Sequence, residues 1–428
     1  MKRFSVILLC FVMVCGVLFA QGTNEVKNSK VTLTVLDAFV PGEATTNAWK
    51  TRIKEFSSVH PEVVIDEETI SNADLTVKVQ TLAAADELPD IFCLKGQMAE
   101  NFVKNGKVLP VNFILDDNGE WKASFKEGVF SNFTFDGNIY AIPYQVTNTC
   151  VFYNEAIFKE AGIESFPTTW SELIDVCKTL KAKGYTPIVL GNKEKWNAES
   201  VIMSTLGNRV SGNEWYESIR YKKGASFTDP EFVGALQALY DLAQAGAFNS
   251  DVNSIDGAQQ RQLFMNGKAA MTIDGTWAVS EFDANCPEDV LKNIRIAALP
   301  MVEGGKGDPN AISGGSGWGL AVNANLPKEK MDIVKDFVQI VISKEFAAMQ
   351  AASGTPTAQV PNAFELSDAQ VIAKQFNEFQ AGRAYVPVYD HQLSSGVIQV
   401  MQAGLQELLI GSTTPEKLAA SIQAEYAR

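Results

Sequence analysis

Between residues 31 and 105 the chain alternates strand and helix three times over, and this alternation constrains the fold more than any other feature. Val31–Leu36 alternates apolar and polar residues and reads as a strand. Thr45–Ser58 follows as a helix with Trp49, Ile53 and Phe56 on one face, closed by His60-Pro61. Val63–Ile65 is the next strand. Leu75, Val79 and Leu82 at i, i+4 and i+7 then mark a second helix over Ala73–Glu87. A third strand, Pro89–Leu94, leads into a helix at Met98–Asn105. Such alternation predicts an α/β fold whose mostly parallel sheet is covered by helices on both faces. In open sheets of this kind ligands bind beyond the carboxyl ends of the strands.

The chain is 428 residues long, more than one ordinary core accommodates, so two domains are expected. Lys2-Arg3, the apolar run Val6–Phe19 and Ala20 form an export leader, giving residues 1–20 as a signal peptide and an exported protein, in the periplasm or at the cell surface. Cys15 raises a lipid anchor as the alternative, but Val14 precedes it and Leu18-Phe19-Ala20 offers an ordinary cleavage site. No later run is long enough to span a membrane. Net charge is −14 with no basic stripe, which argues against nucleic acid as a partner. Of six cysteines, Cys10 and Cys15 lie in the leader. Cys93, Cys150, Cys177 and Cys286 read as small buried hydrophobes, with disulfide pairing open.

Residues 133–153 change texture: a turn at Asp136-Gly137, a strand ending at Pro143, polar Tyr144–Thr149, then Val151-Phe152-Tyr153. A crossing between domains is expected there. Thr169-x-x-Glu172 has capping-box spacing before an amphipathic helix. Thr186–Leu190 is a strand ending near Trp196, and Pro230–Ala245 a helix. Leu263–Trp277 then runs a helix end into the strand Ala269–Ile273 and on to Asp274-Gly275-Thr276-Trp277. An indole at a strand end either stacks on a ligand or fills core; Asp274 either accepts from a ligand hydroxyl or caps its own turn. After the strand Ile294–Leu299, glycine-rich Val302–Asn310 reads as flexible, and Ser313–Gly319 as a second crossing. Helices are expected at Lys328–Ile342, Ser367–Gln380, Ser394–Ile410 and, with Thr414 as N-cap and Pro415 at N1, Pro415–Tyr426.

The segment D-G-N-I-Y-A-I-P-Y…V-F-Y-N-E-A-I-F-K-E-A-G-I…F-P-T-T-W-S-E-L, over Asp136–Leu173, resembles the extracellular solute-binding proteins of ABC importers, in the carbohydrate-binding branch related to the maltose-binding protein. Pro89–Phe92, Phe264–Trp277, Ala298–Met301 and Gly314–Val322 extend the resemblance in order. It implies a two-lobe clamp closing on a sugar or oligosaccharide, with membrane permease subunits as partners and the chain acting as a monomer. One lobe would hold 31–143 plus 313–355, the other 144–312 plus 356–428. Crossings would fall at Tyr144–Thr149, Val302–Ser313 and Gly354–Asn362.

A sugar offers an apolar C–H face and a ring of hydroxyls, matched by flat aromatics with short-range donors and acceptors. The candidates are Trp277, Trp196 and Trp318 as platforms, and Asp274 with Gly275 beside them. Gly314 and Gly315 would let backbone N–H groups approach. Tyr144 and Gln145 lie on the first crossing; Asp37, Phe39, Lys95 and Gln97 follow strand ends; Tyr389, Asp390 and His391 come from the C-terminal segment. Trp49, Trp121, Trp170 and Trp215 are assigned to packing.

With only two histidines, His60 and His391, a His-dependent triad or multi-His metal site is not expected. The Gly315–Gly319 glycines lack a dinucleotide-binding context, and no cofactor or metal is called for. Glycosidase chemistry would need two carboxylates flanking a bond, which nothing in the sequence arranges, so the expectation is binding without catalysis. A sugar phosphate as ligand, or a sensory rather than transport role, are the alternatives.

Overall fold

The computed structural model describes residues 30–39 and 44–428; the leader, Cys15 and the Pro41-Gly42 turn lie outside the described residues. The elements form two helix-flanked sheets. The first has the order β2-β1-β3-β12-β6, built from β1 (Val31–Asp37), β2 (Val63–Thr69), β3 (Ile91–Lys95), β6 (Ile142–Pro143) and β12 (Trp318–Val322). The second has the order β13-β11-β7-β9-β8, with β10 added on β7. Its strands are β7 (Thr147–Asn154), β8 (Thr186–Val189), β9 (Ala269–Gly275), β10 (Ile294–Ala297), β11 (Ile312–Gly315) and β13 (Tyr385–Val386). A small hairpin, β4 (Thr134–Phe135) with β5 (Asn138–Ile139), stands apart.

Both sheets are mixed. The alternating N-terminal segment pairs in parallel as expected, β1 with β2 and β3. The antiparallel pairs involve strands next to the crossings: β12 on β3 and β6, and β7 against β9, β10 and β11. A strand entering from the other lobe runs against its new neighbours, which local alternation does not encode. Each lobe has its own core, one around Leu33, Trp49, Phe92 and Phe337, the other around Phe158, Leu180, Leu236 and Met271.

Helix ends follow local chemistry. Thr169 and Glu172 form the expected capping box, and Thr414 caps Pro415–Tyr426. Lys328–Ile342 shortens to the helix Met331–Val341 behind a 3₁₀ turn.

The first crossing falls within Tyr144–Thr149 and the second within Ser313–Gly319, while the bounds Val302–Ser313 and residue 356 do not mark crossings. The first is the short link between β6 and β7. The second is Ser316-Gly317, because residues 312–315 pair with β7 and β13 of the second sheet before the chain enters β12. Residue 313 is therefore not the start of the first lobe. Nor is Val302–Ser313 a crossing, or its glycine-rich part loose: it wraps the buried Arg209. The Arg209 guanidinium donates to the carbonyls of Leu299 (3.2 Å), Ala311 (2.6 Å) and Asp308. A Cβ at Gly305 would lie 2.1 Å from Arg209 O, so only glycine allows that approach. The third crossing begins later than residue 356: Lys126 N and Val360 N bond Ala358 O and Ser124 O, holding 356–360 on the first lobe. The helix Val371–Gln380 then docks on the second, its first amides donating to Asp283 (2.7 and 3.0 Å).

Candidate functional site

A cleft of about 560 Å³ lies between the sheets, the size of a small-molecule site. The second lobe supplies an aromatic corner. β9 is buried along its whole length and ends at Gly275; a single 3₁₀ turn, Thr276–Ala278, then presents Trp277. Its indole folds back over Gly275, where a Cβ would lie 2.3 Å from the ring. Trp196, from the loop after β8, meets Trp277 edge-on at 5.5 Å and 70°. Both indoles line the cleft and both are partly packed against core. Trp277 is thus core on one side and cleft lining on the other.

Of the other expected residues, Trp318, Gln145, Lys95, Gln97, Asp390 and His391 also line the cleft. Lys95, ending β3, lies 5.7 Å above the Trp318 ring and pairs with Asp390 of the other lobe. Against burial, which raises its pKa, Lys95 and His391 hold the Asp390 carboxyl below the usual range. Behind it stands Glu199, wholly buried, pushed up to about 8 by burial and by Asp390. Burial takes His391 down to about 4. Burial thus holds Glu199 toward its protonated form and His391 toward its neutral form beside the Lys95–Asp390 pair.

Eight expected residues do not face the cleft; one, Tyr389, is buried against Tyr216. Asp274 is buried behind it: Oδ1 accepts from Gly275 N (2.8 Å) and Oδ2 from Gln260 (3.2 Å), with Arg261 3.6 Å away. It caps its own turn, and burial raises its pKa against the pull of Arg261. Gly275 is the seat of the indole, not a contact. Gly314 allows the close approach of β11 to β7, since a Cβ there would meet Thr147 O at 2.7 Å. Gly315 belongs to the same strand and supplies a backbone φ of +139°. Phe39 stacks on Trp49 (4.5 Å) and leans on Tyr144 (5.0 Å), so both pack the first core. Asp37 is fully buried, accepts from Phe39 N (2.9 Å), and is pushed up to about 7 by burial and by Glu67 beside it. The chain after β1 turns inward beneath the helix Ala44–Val59, which a strand-end rule does not foresee.

Several lining residues were not anticipated. The helix Asn72–Ala85 offers Asn72, Thr76 and Val77 from the first lobe, with its N-cap Ser71. Ser200 comes from a π-helical turn, Asn197–Met203, which joins the helix Ser204–Arg220; such turns recur at functional sites. Ser395, Gln399 and Gln402 line the cleft from the helix Ser395–Leu409. Their i, i+4, i+7 spacing is a polar stripe opposite apolar Val397, Met401, Leu405 and Leu408, and that pattern was there to be read. Gln97 Oε1, Asn148 Oδ1, Thr276 Oγ1 and Ser313 Oγ belong to lining residues, are buried, and have no hydrogen-bond partner. The four buried cysteines are free thiols, and Trp49, Trp121 and Trp170 are core.

Two sheet-bearing lobes with an aromatic-lined cleft between them define a clamp-type binding protein. The family model of the bacterial extracellular solute-binding proteins matches residues 42–348, and the chain belongs to that family. Among solved structures it is similar to a chitin oligosaccharide binding protein, at 29% identity, TM-score 0.85, and coverage of 93% of this chain and 98% of that one. Among curated relatives it is 28% identical to an uncharacterized ABC transporter extracellular-binding protein of Pyrococcus horikoshii, over 59% of this chain and 56% of the relative. It is 27% identical to the sn-glycerol-3-phosphate-binding periplasmic protein of Brucella abortus, over 54% and 52%. The chain thus spans little more than half the length of these curated relatives. The relatives are named as binding proteins, not enzymes. Among the described residues no helix is long and apolar enough to cross a membrane.

Proposed function

We propose that the protein captures a neutral sugar or oligosaccharide outside the cytoplasm and delivers it unchanged to the permease of an ABC importer. The observation that carries this is the Trp196–Trp277 corner in a cleft rich in hydroxyl and amide side chains. Indole faces take the C–H side of a pyranose, while Asn, Gln, Ser and Thr side chains meet its hydroxyls. The unpaired buried atoms of Gln97, Asn148, Thr276 and Ser313 are an expensive feature unless something satisfies them. A rotamer change turns each toward a ligand hydroxyl.

Lobes joined by three crossings close as rigid bodies about a hinge. Ligand contacts both lobes only when they are shut, so binding shifts the population by its differential affinity for that state. A single copy suffices for this, and we take the protein to act as a monomer.

A phosphorylated solute is the second reading, prompted by the glycerol phosphate relative. A phosphate wants an uncommitted arginine or lysine. Here Lys95 is paired with Asp390, and Arg261 with Glu281 and Asp274. Both cleft cations already face carboxylates before ligand arrives, which favours a neutral ligand over an anion. A thermal-shift screen against neutral oligosaccharides and sn-glycerol 3-phosphate tests this: stabilisation by a neutral sugar supports it, and stabilisation by the phosphate alone refutes it.

A further inference from the structure

Three covalent crossings join the lobes, but the structure holds a further, non-covalent junction at the cleft floor. The short helix Tyr389–Gln392 is rooted in the second lobe. Tyr389 stacks on Tyr216 at 5.1 Å and 5°, its amide donates to Ser204 Oγ (3.0 Å), and Gly207 leaves room for its ring. The next three residues reach the first lobe and the second crossing. Asp390 pairs with Lys95. Gln392 donates to Asn132 Oδ1 (2.8 Å). His391 lies against two glycines: a Cβ at Gly96 would be 2.6 Å from its carbonyl oxygen, and one at Gly317 2.0 Å from its ring. Side chains at either position would force the lobes apart.

We propose that Tyr389–Gln392 is the fulcrum on which the lobes turn, and that the Lys95–Asp390 pair sets their resting angle. The ion pair is well placed for this. Its side chains are only 14% and 4% exposed, so neither salt nor water screens the attraction as it would at a surface. Its partners come from opposite lobes, so separating them leaves a carboxylate facing Glu199 without its cation, while Lys95 loses its anion. Asp390 and Lys95 are positioning residues in this role. They act on affinity through the fraction of molecules whose lobes are correctly set, which scales every ligand alike.

This rests on the clamp reading, but its test does not need the ligand. Spin labels at Val59→Cys and Ile410→Cys, exposed sites on the two lobes of a chain whose described native cysteines are buried, report the inter-lobe distance in unliganded protein. Asp390→Asn, Lys95→Gln and Gly317→Ala are each expected to shift the distribution to longer distances and broaden it. Gly317 does not itself line the cleft, but its Cβ would meet the His391 ring, which does, so the unliganded distance distribution is the deciding readout. Where the wild type binds a set of sugars, each variant is expected to weaken all of them by a common factor, about threefold to tenfold. An unchanged unliganded distribution in the folded variants overturns the proposal, whatever the affinities do. Absence of sugar binding by wild type counts against the functional reading alone.

Discussion

Trp277→Ala removes the ring on which both the site and part of the second lobe depend, so its effect divides into two measurable parts. Trp277 is partly buried, meets Trp196 edge-on at 5.5 Å and covers Gly275. Truncating a fully buried tryptophan costs about 3–5 kcal/mol. An indole with one face in a cleft loses less, roughly 2–3 kcal/mol, of which the aromatic pair accounts for about 0.5–1.5 kcal/mol. A 428-residue chain with two cores should survive that. For binding, loss of an aromatic platform from a desolvated cleft is worth about 1–3 kcal/mol, roughly fivefold to 150-fold in Kd. Titration calorimetry on folded mutant, checked by circular dichroism, reads the second part, and urea denaturation the first. Unchanged affinity in a folded mutant would refute the platform role and leave Trp277 as core. Asp274→Asn should lower stability, because its carboxylate caps a buried turn and faces Arg261.

Gly275→Ala should do much of the same damage from one methyl group. Its Cβ would sit 2.3 Å from the indole; displacing the ring should weaken sugar binding at least fivefold and destabilise by about 1–3 kcal/mol, and wild-type affinity would contradict the ring position. Arg209→Met should cost about 3–5 kcal/mol in urea denaturation, because three carbonyls lose a charged donor; a loss under about 1 kcal/mol would show that the 302–310 segment holds without it. Glu199, raised to about 8 in the folded protein from 4.5, binds a proton on folding across that window. Its own contribution to stability should therefore fall as pH rises from about 5 to 8 and level off above, opposed below about 6.5 by His391, and Glu199→Gln, which mimics the protonated acid, should remove that falling part. Equal slopes in wild type and mutant would contradict the protonated state.

The residues that announced themselves were those whose neighbours in sequence are their neighbours in space. Thr169 with Glu172, Thr414 before Pro415, and the β9 run into Trp277 each carry a local rule that packing did not override. Asp274 and Trp277 were both visible in one motif, yet only the indole reaches the cleft. Successive strand residues face opposite ways, and a turn at the strand end decides which faces out. Glycines misled in a consistent manner: those near 305 and 314 signal close approach of backbones, whereas composition reads them as slack or as ligand seats. Phe39 and Asp37 obey the strand-end rule in sequence but are drawn under a helix by Trp49 and Tyr144. The Lys95–Asp390 pair spans almost three hundred residues, and no periodicity could connect its halves.

A cleft with aromatic platforms and committed cations should hold a neutral sugar. Calorimetric titration of the wild-type protein with neutral oligosaccharides and, in parallel, with sn-glycerol 3-phosphate tests it most directly. Saturable binding of a neutral oligosaccharide, lost in Trp277→Ala, with no heat from the phosphate, is the expected result. Tight binding of the phosphate, with the neutral sugars silent, would contradict the account.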